Sequence, residues 1–584
     1  MLVKQVPHPP AIEFDEETRS LRREGVPLVL NPFDREAVGR AVEVGDEVVA
    51  MTMGPPQAEE ALRECLALGA NRSIHLCDAA FALADTIGTS RTLAMAIRKE
   101  TADLVVCGRK TIDSETWQVP PEVAAQLGWP HVTSVTSLER AGTGLRVTRQ
   151  TDAGEDVYEL DLPAVVSIAR PGLEAADPVE GEVAVWTAKD LAPDVRPNDK
   201  CFGQAGSPTR VLAVRDVTPE RARRRARSVE DAVAAVRDLL AARRREPSRW
   251  DKPGDIAEQP GKRYDAWIWA EVSAGRPTRH SLELTARGRL LAGKLGGQSV
   301  ALVLGHGLGE VPAELIRHGA ERVVAIDDER LSRFQPEVWA AALVQVVERH
   351  RPHVLLLPAT AAGREVGPRL AGELELGMTG DCVGVDIVKG GRLLQQKPAY
   401  GGNIVSVILG ATTPQLATVR ARMFEPLEPR DGEGDVERFQ LDGLREPRAR
   451  LVARLERPGS NGFALDAADV VVCAGPEVVG GADAVAEIEA LAGTTGAAVG
   501  GTHAACTLGW LPHTREIGLY GRPVAPRLLV AVGVPGDFWD VTGWVKSDVV
   551  AAVNHGVTAG MDETSDVILG ADWRAALPAL LATA

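Results

Sequence analysis

Short apolar runs alternate along the chain with longer stretches in which apolar positions recur at helical spacing. DLVVCG (103–108) and HVLLLPA (353–359) are continuous apolar runs, the pattern of strands buried on both faces of a parallel sheet. Strands alternating with helices in this way predict an α/β fold. The pattern occurs twice. VVAMTMGPPQAEEALRECLALGANRSIHL, from Val48, lines up with VALVLGHGLGEVPAELIRHGAERVVAI, from Val300. Each has a strand ending at glycine (Gly54, Gly305), an amphipathic helix, a Gly-Ala pair (Gly69-Ala70, Gly319-Ala320) and a second strand. A shift of about 250 residues also superposes ADLVVCGRKTIDSETWQVPPEVAAQLG on PHVLLLPATAAGREVGPRLAGELELG, and LPAVVSIARPG on TPQLATVRARM. One register across three blocks predicts two copies of one domain. In such sheets ligands gather at the carboxyl ends of strands, so the glycine-rich turns there are the places to look for chemistry.

From about residue 457, VVVCAG, AAVGGT, LLVAVGV, DVVAAVN and DVILGAD are regularly spaced apolar runs that stop at Gly, Asn or Asp, the pattern of a third, doubly wound unit. Between the copies, 181–217 reads as irregular, with Pro193, Pro197 and Pro208. TPERARRRARSVEDAVAAVRDLLAARRRE (218–246) reads as a helix capped at Thr218-Pro219 or Ser228, and SRWDKPGD (248–255) as a linker. The helix's arginines are either a patch for phosphate or an acidic partner, or a solvated face. The expected division is 1–217, 218–262, 263–450 and 451–584.

Composition narrows the class. The net charge of −16 is spread evenly, −8 on residues 1–256 and −8 beyond, and argues against nucleic acid as the partner. No run of about 18 uncharged apolar residues is present, so no membrane span is expected. The first 25 residues turn acidic where an export signal needs an apolar core. Seven scattered cysteines without a C-x-x-C pair read as reduced thiols in a cytoplasmic protein. No Walker A loop, G-x-S-x-G elbow, H-E-x-x-H or strand-to-helix G-x-G-x-x-G occurs.

Several longer motifs carry a family likeness. NPFDREAV (31–38), DTIGTS (85–90), CGRKTIDSETWQVPP (107–121) and AGSPTRV (205–211) are followed by GDCVGVDI, LLQQKPAYGGNIVSVI, PQLATVR, GWLPHTREIGLYGRPVAP and AVNH. In this order the chain resembles an electron-transfer flavoprotein β subunit fused ahead of an α subunit. The resemblance implies two adenine nucleotide α-hydrolase-like domains paired as a pseudo-heterodimer within one chain, and a C-terminal FAD-domain fold. It implies an electron carrier between a partner dehydrogenase and an acceptor, with FAD, and with AMP or a second FAD in the β-like part, and not an enzyme with its own substrate. Asp113, Thr116, Gln118, Val119 and Pro121 fit the bifurcating branch's AIDGDTAQVGP pattern, whereas Trp117 and Pro120 replace a small residue and a glycine.

On this resemblance Asn31, Asp85, Thr86, Thr89, Gly108, Asp113, Thr116, Gln118 and Val119 are expected to hold AMP or FAD. Backbone N–H groups of the 108–121 loop suit phosphate oxygens. Lys397 and Arg420, with Arg422, are the cations expected to face the inter-domain nucleotide. The C-terminal unit departs from the family's flavin pattern. Pro476 and His503 stand where arginines are expected, Glu516 and Leu519 where glutamines are, Tyr520 for a threonine and Trp539-Asp540 for Gln-His. Gly518, Gly521, Gly533, Asn554 and Asp566 remain as a residual FAD frame. Two readings stay open: a fold kept for structure after FAD was lost, or a rebuilt site with Tyr520, Phe538 and Trp539 stacked on a planar cofactor. The alternative function is a non-redox adenine-nucleotide-binding scaffold or docking subunit.

Overall fold

The repeat is visible in the computed structural model down to single residues. The structure describes the chain except residues 9–12, 16–19, 23–25, 152–153, 194–200, 218, 246–247, 252–263, 400–401, 403, 457–462, 555–558 and 584. Tyr400, Gly401 and Asn403 of the PAYGGNI motif, His555 of AVNH and the cap expected at Thr218 lie outside the described residues. The second copy is a parallel sheet in the order Met378–Cys382, Gln415–Val419, Val354–Pro358, Tyr264–Ala270, Gly296–Gly305, Arg322–Asp327, Asp435–Arg438. In the first copy Leu104–Gly108 and Val49–Met53 belong to separate ladders. The amino-terminal residues lie between them, donating Leu2 N to Val106 O (3.0 Å) and Val3 N to Met51 O (2.9 Å). Helix ends match as well. Thr101 (φ 59°) and Arg351 (φ 48°) close Thr86–Glu100 and Pro336–His350 in the left-handed conformation that frees a helix's last carbonyls for capping.

Each copy carries an antiparallel extension, and the outer strand of each comes from beyond that copy. Ala449–Glu456 pairs with Gly154–Leu160, while Thr209–Asp216 pairs with Ile404–Gly410. The first copy thus lends Thr209–Asp216 to the second, and receives Ala449–Glu456 from the stretch that straddles residue 450. Buried ion pairing adds to the contact: Glu365, fully buried, accepts from Arg149 Nη1 at 2.5 Å and from Thr133 N at 3.1 Å.

The C-terminal unit is a parallel sheet in the order Arg224–Ala226, Val567–Gly570, Val549–Asn554, Leu528–Val532, Val470–Ala474, Ala498–Gly501. Its edge strand corrects the long connector helix expected over 218–246. The helix is Val229–Ala242, and Ser228 caps it by accepting Asp231 N at 3.2 Å. Upstream, Asp566 draws in Arg221 and the N–H of Ala222, which lays 224–226 extended along Val567–Gly570. Ala232, Ala235, Val236 and Leu240 bury the helix's apolar face in the C-terminal core. Arg221 is buried on Asp566 and Arg245 pairs with Asp548, whereas Arg223, Arg224, Arg225 and Arg227 are exposed, a solvated face. No helix among the described residues is long and apolar enough to cross a membrane, and none of the seven cysteines is paired.

Candidate functional site

The strand Leu104–Gly108 delivers the loop that leads into the helix Val119–Leu127. Gly108 donates its N–H to Asp34 Oδ1 at 2.9 Å, and a Cβ there would strike Asp34 and Phe33, so the close approach demands glycine. Burial raises the Asp34 carboxyl to about 7 against the bonds from Asn31, Lys4 and Gly108. Asn31 fastens the loop from below, donating to Lys110 O (3.0 Å) and accepting Ile112 N (3.3 Å). Asp113 pairs with Lys4 at 2.6 Å and accepts Thr111 Oγ1 at 2.5 Å. The carbonyl of Thr116 lies against Gly380.

The other predicted residues of this unit gather around Glu122. Thr86 Oγ1 (3.0 Å) and Gln118 Nε2 (3.3 Å) both donate to its Oε1, and Gln118 also reaches Met378 O at 3.1 Å. Burial, and then the nearby Asp85, push the Glu122 carboxyl well above the ordinary range. Asp85 accepts Gly88 N (2.9 Å), Thr209 N (2.8 Å) and Thr209 Oγ1 (2.7 Å), and its carbonyl accepts Thr89 N at 2.9 Å. Val119 is the first residue of the helix. Asn31, Gly108 and Asp113 thus share one loop, and Asp85, Thr86, Thr89, Gln118 and Val119 a second locus.

A denser cluster lies where the three units meet. Trp117, in the left-handed region (φ 64°), has the cations of Arg109 (4.7 Å), Arg364 (4.8 Å) and Lys110 (5.2 Å) around its ring centre. Lys110 pairs with Glu115 (3.1 Å), and Lys397 Nζ donates to Glu115 O (3.1 Å). Asp381 receives Arg364 at 2.8 and 3.1 Å and Arg420 at 3.3 Å. Burial opposes charge on Asp381, but Arg364, Arg420 and Lys397 outweigh it and hold the carboxyl well below its usual range. Five cations, Arg109, Lys110, Arg364, Lys397 and Arg420, thus face two carboxylates, Glu115 and Asp381. Burial lowers Arg109 to about 9, with neighbouring arginines adding to the effect, and Lys397 to about 8, with Arg420 adding to it.

Arg109, Trp117, Arg364 and Arg420 line a cavity of about 330 Å³ whose remaining wall comes from all three units. That wall adds three cations, Arg279, Arg522 and Lys546, and four carboxylates, Glu271, Glu283, Asp466 and Glu516, so a positive excess survives. Among the cavity's residues, Arg109 Nε, His280 Nε2 and Thr514 Oγ1 are buried with no protein partner. Buried polar atoms of this kind are satisfied in most native proteins, so these suit a polar ligand. The excess charge suits an anion.

In the C-terminal unit the switch of strand order falls at Val470–Ala474, which has Ala498–Gly501 on one side and Leu528–Val532 on the other. The turns at these carboxyl ends are tightly interlocked. A Cβ on Gly533 (φ 61°) would collide with Val478, and one on Gly518 (φ 141°) would lie 2.7 Å from Trp539 O. Gly521 lines the cavity. Asn554 grips Val534 through both its N–H (3.3 Å) and carbonyl (2.8 Å). Asp566 is committed to Arg221 (3.0 Å), Arg243 (2.8 Å), Ala222 N (2.9 Å) and Val550 N (2.9 Å), a tether rather than a ligand face. Tyr520 and Trp539 do stack, at 5.3 Å and 16°, but with Phe538 and Leu519 they pack on Val6, Phe33 and Ile112 of the first unit. His503 and His513 both bond Glu516.

Lys397 and Arg420 fall in the cluster, whereas Arg422 is bound to Asp469 and Ala467 O. Arg109, Arg364, Arg522 and Lys546 were not singled out from the sequence. A signal for Arg364 existed in the repeat. Arg364 stands two residues before Val366-Gly367-Pro368 as Trp117 does before Val119-Pro120-Pro121, and the two side chains touch.

Residues 18–191 and 266–444 match the family described as Electron transfer flavoprotein domain, and 464–544 match Electron transfer flavoprotein FAD-binding domain. The electron transfer flavoprotein subunit alpha of Clostridium acetobutylicum is 31% identical over 322 residues, 54% of this chain and 95% of that protein. The subunit beta of Thermoanaerobacterium thermosaccharolyticum is 40% identical over 235 residues, 38% of this chain and 89% of that protein. The caffeyl-CoA reductase-Etf complex subunit CarD of Acetobacterium woodii is 38% identical over 226 residues, 36% of this chain and 84% of that protein.

Proposed function

Since this chain belongs to the electron transfer flavoprotein family, we propose that the cleft between its three units is where its FAD is held. The protein is an electron-transfer flavoprotein with β-like and α-like parts in one chain. FAD, when bound, supplies the electron-accepting and electron-donating chemistry, and the polypeptide supplies binding, burial and access. The observation that carries the placement is the uncompensated positive charge around Trp117. Beyond the bonds that Nε and Nη2 of Arg364 and Nε of Arg420 give Asp381, the two guanidinium groups keep terminal N–H donors and their charge for the two negative charges of the pyrophosphate. Trp117 orients Arg364 and Arg109 by stacking, while Arg109 also ties the first unit to the third by donating to Tyr520 O at 2.6 Å. Burial of the floor keeps these cations from water, which strengthens their pull on an anion. The protein is expected to purify with flavin in this cleft, and flavin analysis of the denatured chain checks it. A colourless chain that takes up no FAD on reconstitution overturns the placement.

We further place a second adenine nucleotide, AMP or FAD, on Asn31, Asp85, Thr86, Thr89, Gly108, Asp113, Thr116, Gln118 and Val119. Asp113→Asn or Gln118→Ala should release that nucleotide while leaving the cleft flavin. Gln118→Ala removes the bonds to Met378 O and to Glu122 Oε1 and should cost about 2 kcal/mol of stability. Unchanged nucleotide content in both variants removes the assignment. The partners are a flavin-containing or other dehydrogenase and an electron acceptor. The seven unpaired cysteines favour a reducing compartment, the cytoplasm.

A further inference from the structure

We propose that His503, His513 and Glu516 form a binding site for a divalent transition-metal ion of the zinc class on the wall of the cleft. The inference stands apart from the flavin placement, since it uses none of the cluster's cations.

His513 and Glu516 start and close one turn, and His503, first residue of the helix His503–Thr507, converges on them from a second element. His503 Nδ1 lies 3.0 Å from Glu516 Oε1, and His513 Nδ1 lies 2.6 Å from Glu516 Oε2. Their ligand atoms all fall within 4.8 Å of one another, a grouping found once among the described residues. Zinc binds imidazole nitrogen and carboxylate oxygen at about 2.0–2.2 Å, which sets neighbouring ligands of a tetrahedron roughly 3.3 Å apart. Small side-chain rotations open the observed separations to that value. Two imidazoles and one carboxylate select zinc, copper, nickel or iron over magnesium or calcium, which prefer all-oxygen shells.

The ligands are held from behind, as a metal centre requires. Glu516 is buried, and its segment is pinned by Ile517 N to Gly501 O (2.8 Å) and Arg522 N to Glu516 O (2.9 Å). Thr502 caps the turn that presents His503 by accepting Ala505 N at 3.3 Å, and the Tyr520 ring packs T-shaped on the His503 ring, centres 5.2 Å apart. His513 and Glu516 line the cavity, so three protein ligands would leave a fourth position facing it. Thr514 Oγ1, next to His513 and also lining the cavity, is buried with no protein partner.

The test uses the full-length protein, stripped with a chelator and dialysed, and titrated with Co²⁺ alone. One saturable Co²⁺ per chain with visible d–d absorption, displaced by Zn²⁺, is expected, together with a rise in Tm on loading. His513→Ala and Glu516→Gln should each abolish saturation. X-ray absorption at the ion in the unmutated protein should show imidazole scattering, which holds the proposal to account should a variant fail to fold. Absent saturation, an ion without imidazole ligands, or binding unchanged in folded variants would reduce the cluster to two hydrogen bonds on a buried carboxylate and overturn the proposal.

Discussion

Asp566→Ala is expected to lower the stability of the C-terminal unit by about 3–5 kcal/mol, the cost of stripping one partner from a buried ion pair. Asp566 is fully buried and takes four donors: Arg221, Arg243, Ala222 N and Val550 N. With the carboxylate gone, Arg221 is left 8% exposed beside two carbonyls, those of Val545 and Ser547. Its charge then has no buried counterpart, and burial already disfavours that charge. The edge strand Arg224–Ala226 loses the anchor that holds it along Val567–Gly570, and the helix Val229–Ala242 loses its entry angle. Asp566→Asn keeps the shape and part of the hydrogen bonding, so its cost should be smaller. Urea unfolding followed through the C-terminal tryptophans measures both, read as a domain transition, because a chain of several units need not unfold in one step. A midpoint unmoved by Asp566→Ala would show that the arginines find other partners and that the tether is dispensable.

The same tether explains where sequence reading stopped. The repeat was legible because it is written locally, in strand-end glycines and helix lengths that recur at one offset, and the folded copies reproduce it at Thr101 and Arg351. The origin of the outer strands was not. Nothing in Ala449–Glu456 itself names Gly154–Leu160 as its neighbour; the choice follows from how the two copies meet. The 218–246 segment reads as helix because alanine and arginine favour one, yet a single aspartate some 340 residues later draws its first part into a strand. Phe538, Trp539 and Tyr520 show the same lesson in the site. Aromatic residues at a flavin-like turn suggested stacking on a cofactor, and the apolar surface they meet is Val6, Phe33 and Ile112. The cation cluster was half legible. Lys397 and Arg420 stood in family motifs, but the contact of Arg364 with Trp117 needed two copies brought face to face, and that of Arg109 with the same ring needed the loop's own turn at Trp117.

Arg364→Ala should weaken FAD binding by about 10- to 150-fold, corresponding to the roughly 1.5–3 kcal/mol of a hydrogen bond to a charged group. Arg364→Lys should fall between, because it keeps the charge and loses the planar fork. The dependence on pH tests the cluster as a whole. Burial, with Arg420 adding to it and Asp381 opposing it, sets Lys397 near 8 in the flavin-free protein. Below that pH Lys397 carries its proton and adds to the pull on the pyrophosphate. Above it the proton is lost unless the bound anion restores it, so binding must take up a proton and affinity falls as pH rises through about 8. The folded chain without flavin moves the opposite way. Its depressed Lys397 leaves the unfolded state holding more protons between about 8 and the ordinary lysine value of 10.5, so its stability rises with pH across that window. Lys397→Met should weaken FAD and reduce the pH dependence of its affinity, leaving the part contributed by Arg109, which burial lowers to about 9. Fluorescence titration of the stripped protein with FAD at about pH 7 and about pH 9.5, on either side of the lysine's shifted value, separates the outcomes. An affinity that falls equally in wild type and Lys397→Met would assign the titration to another group and take Lys397 out of the flavin's field.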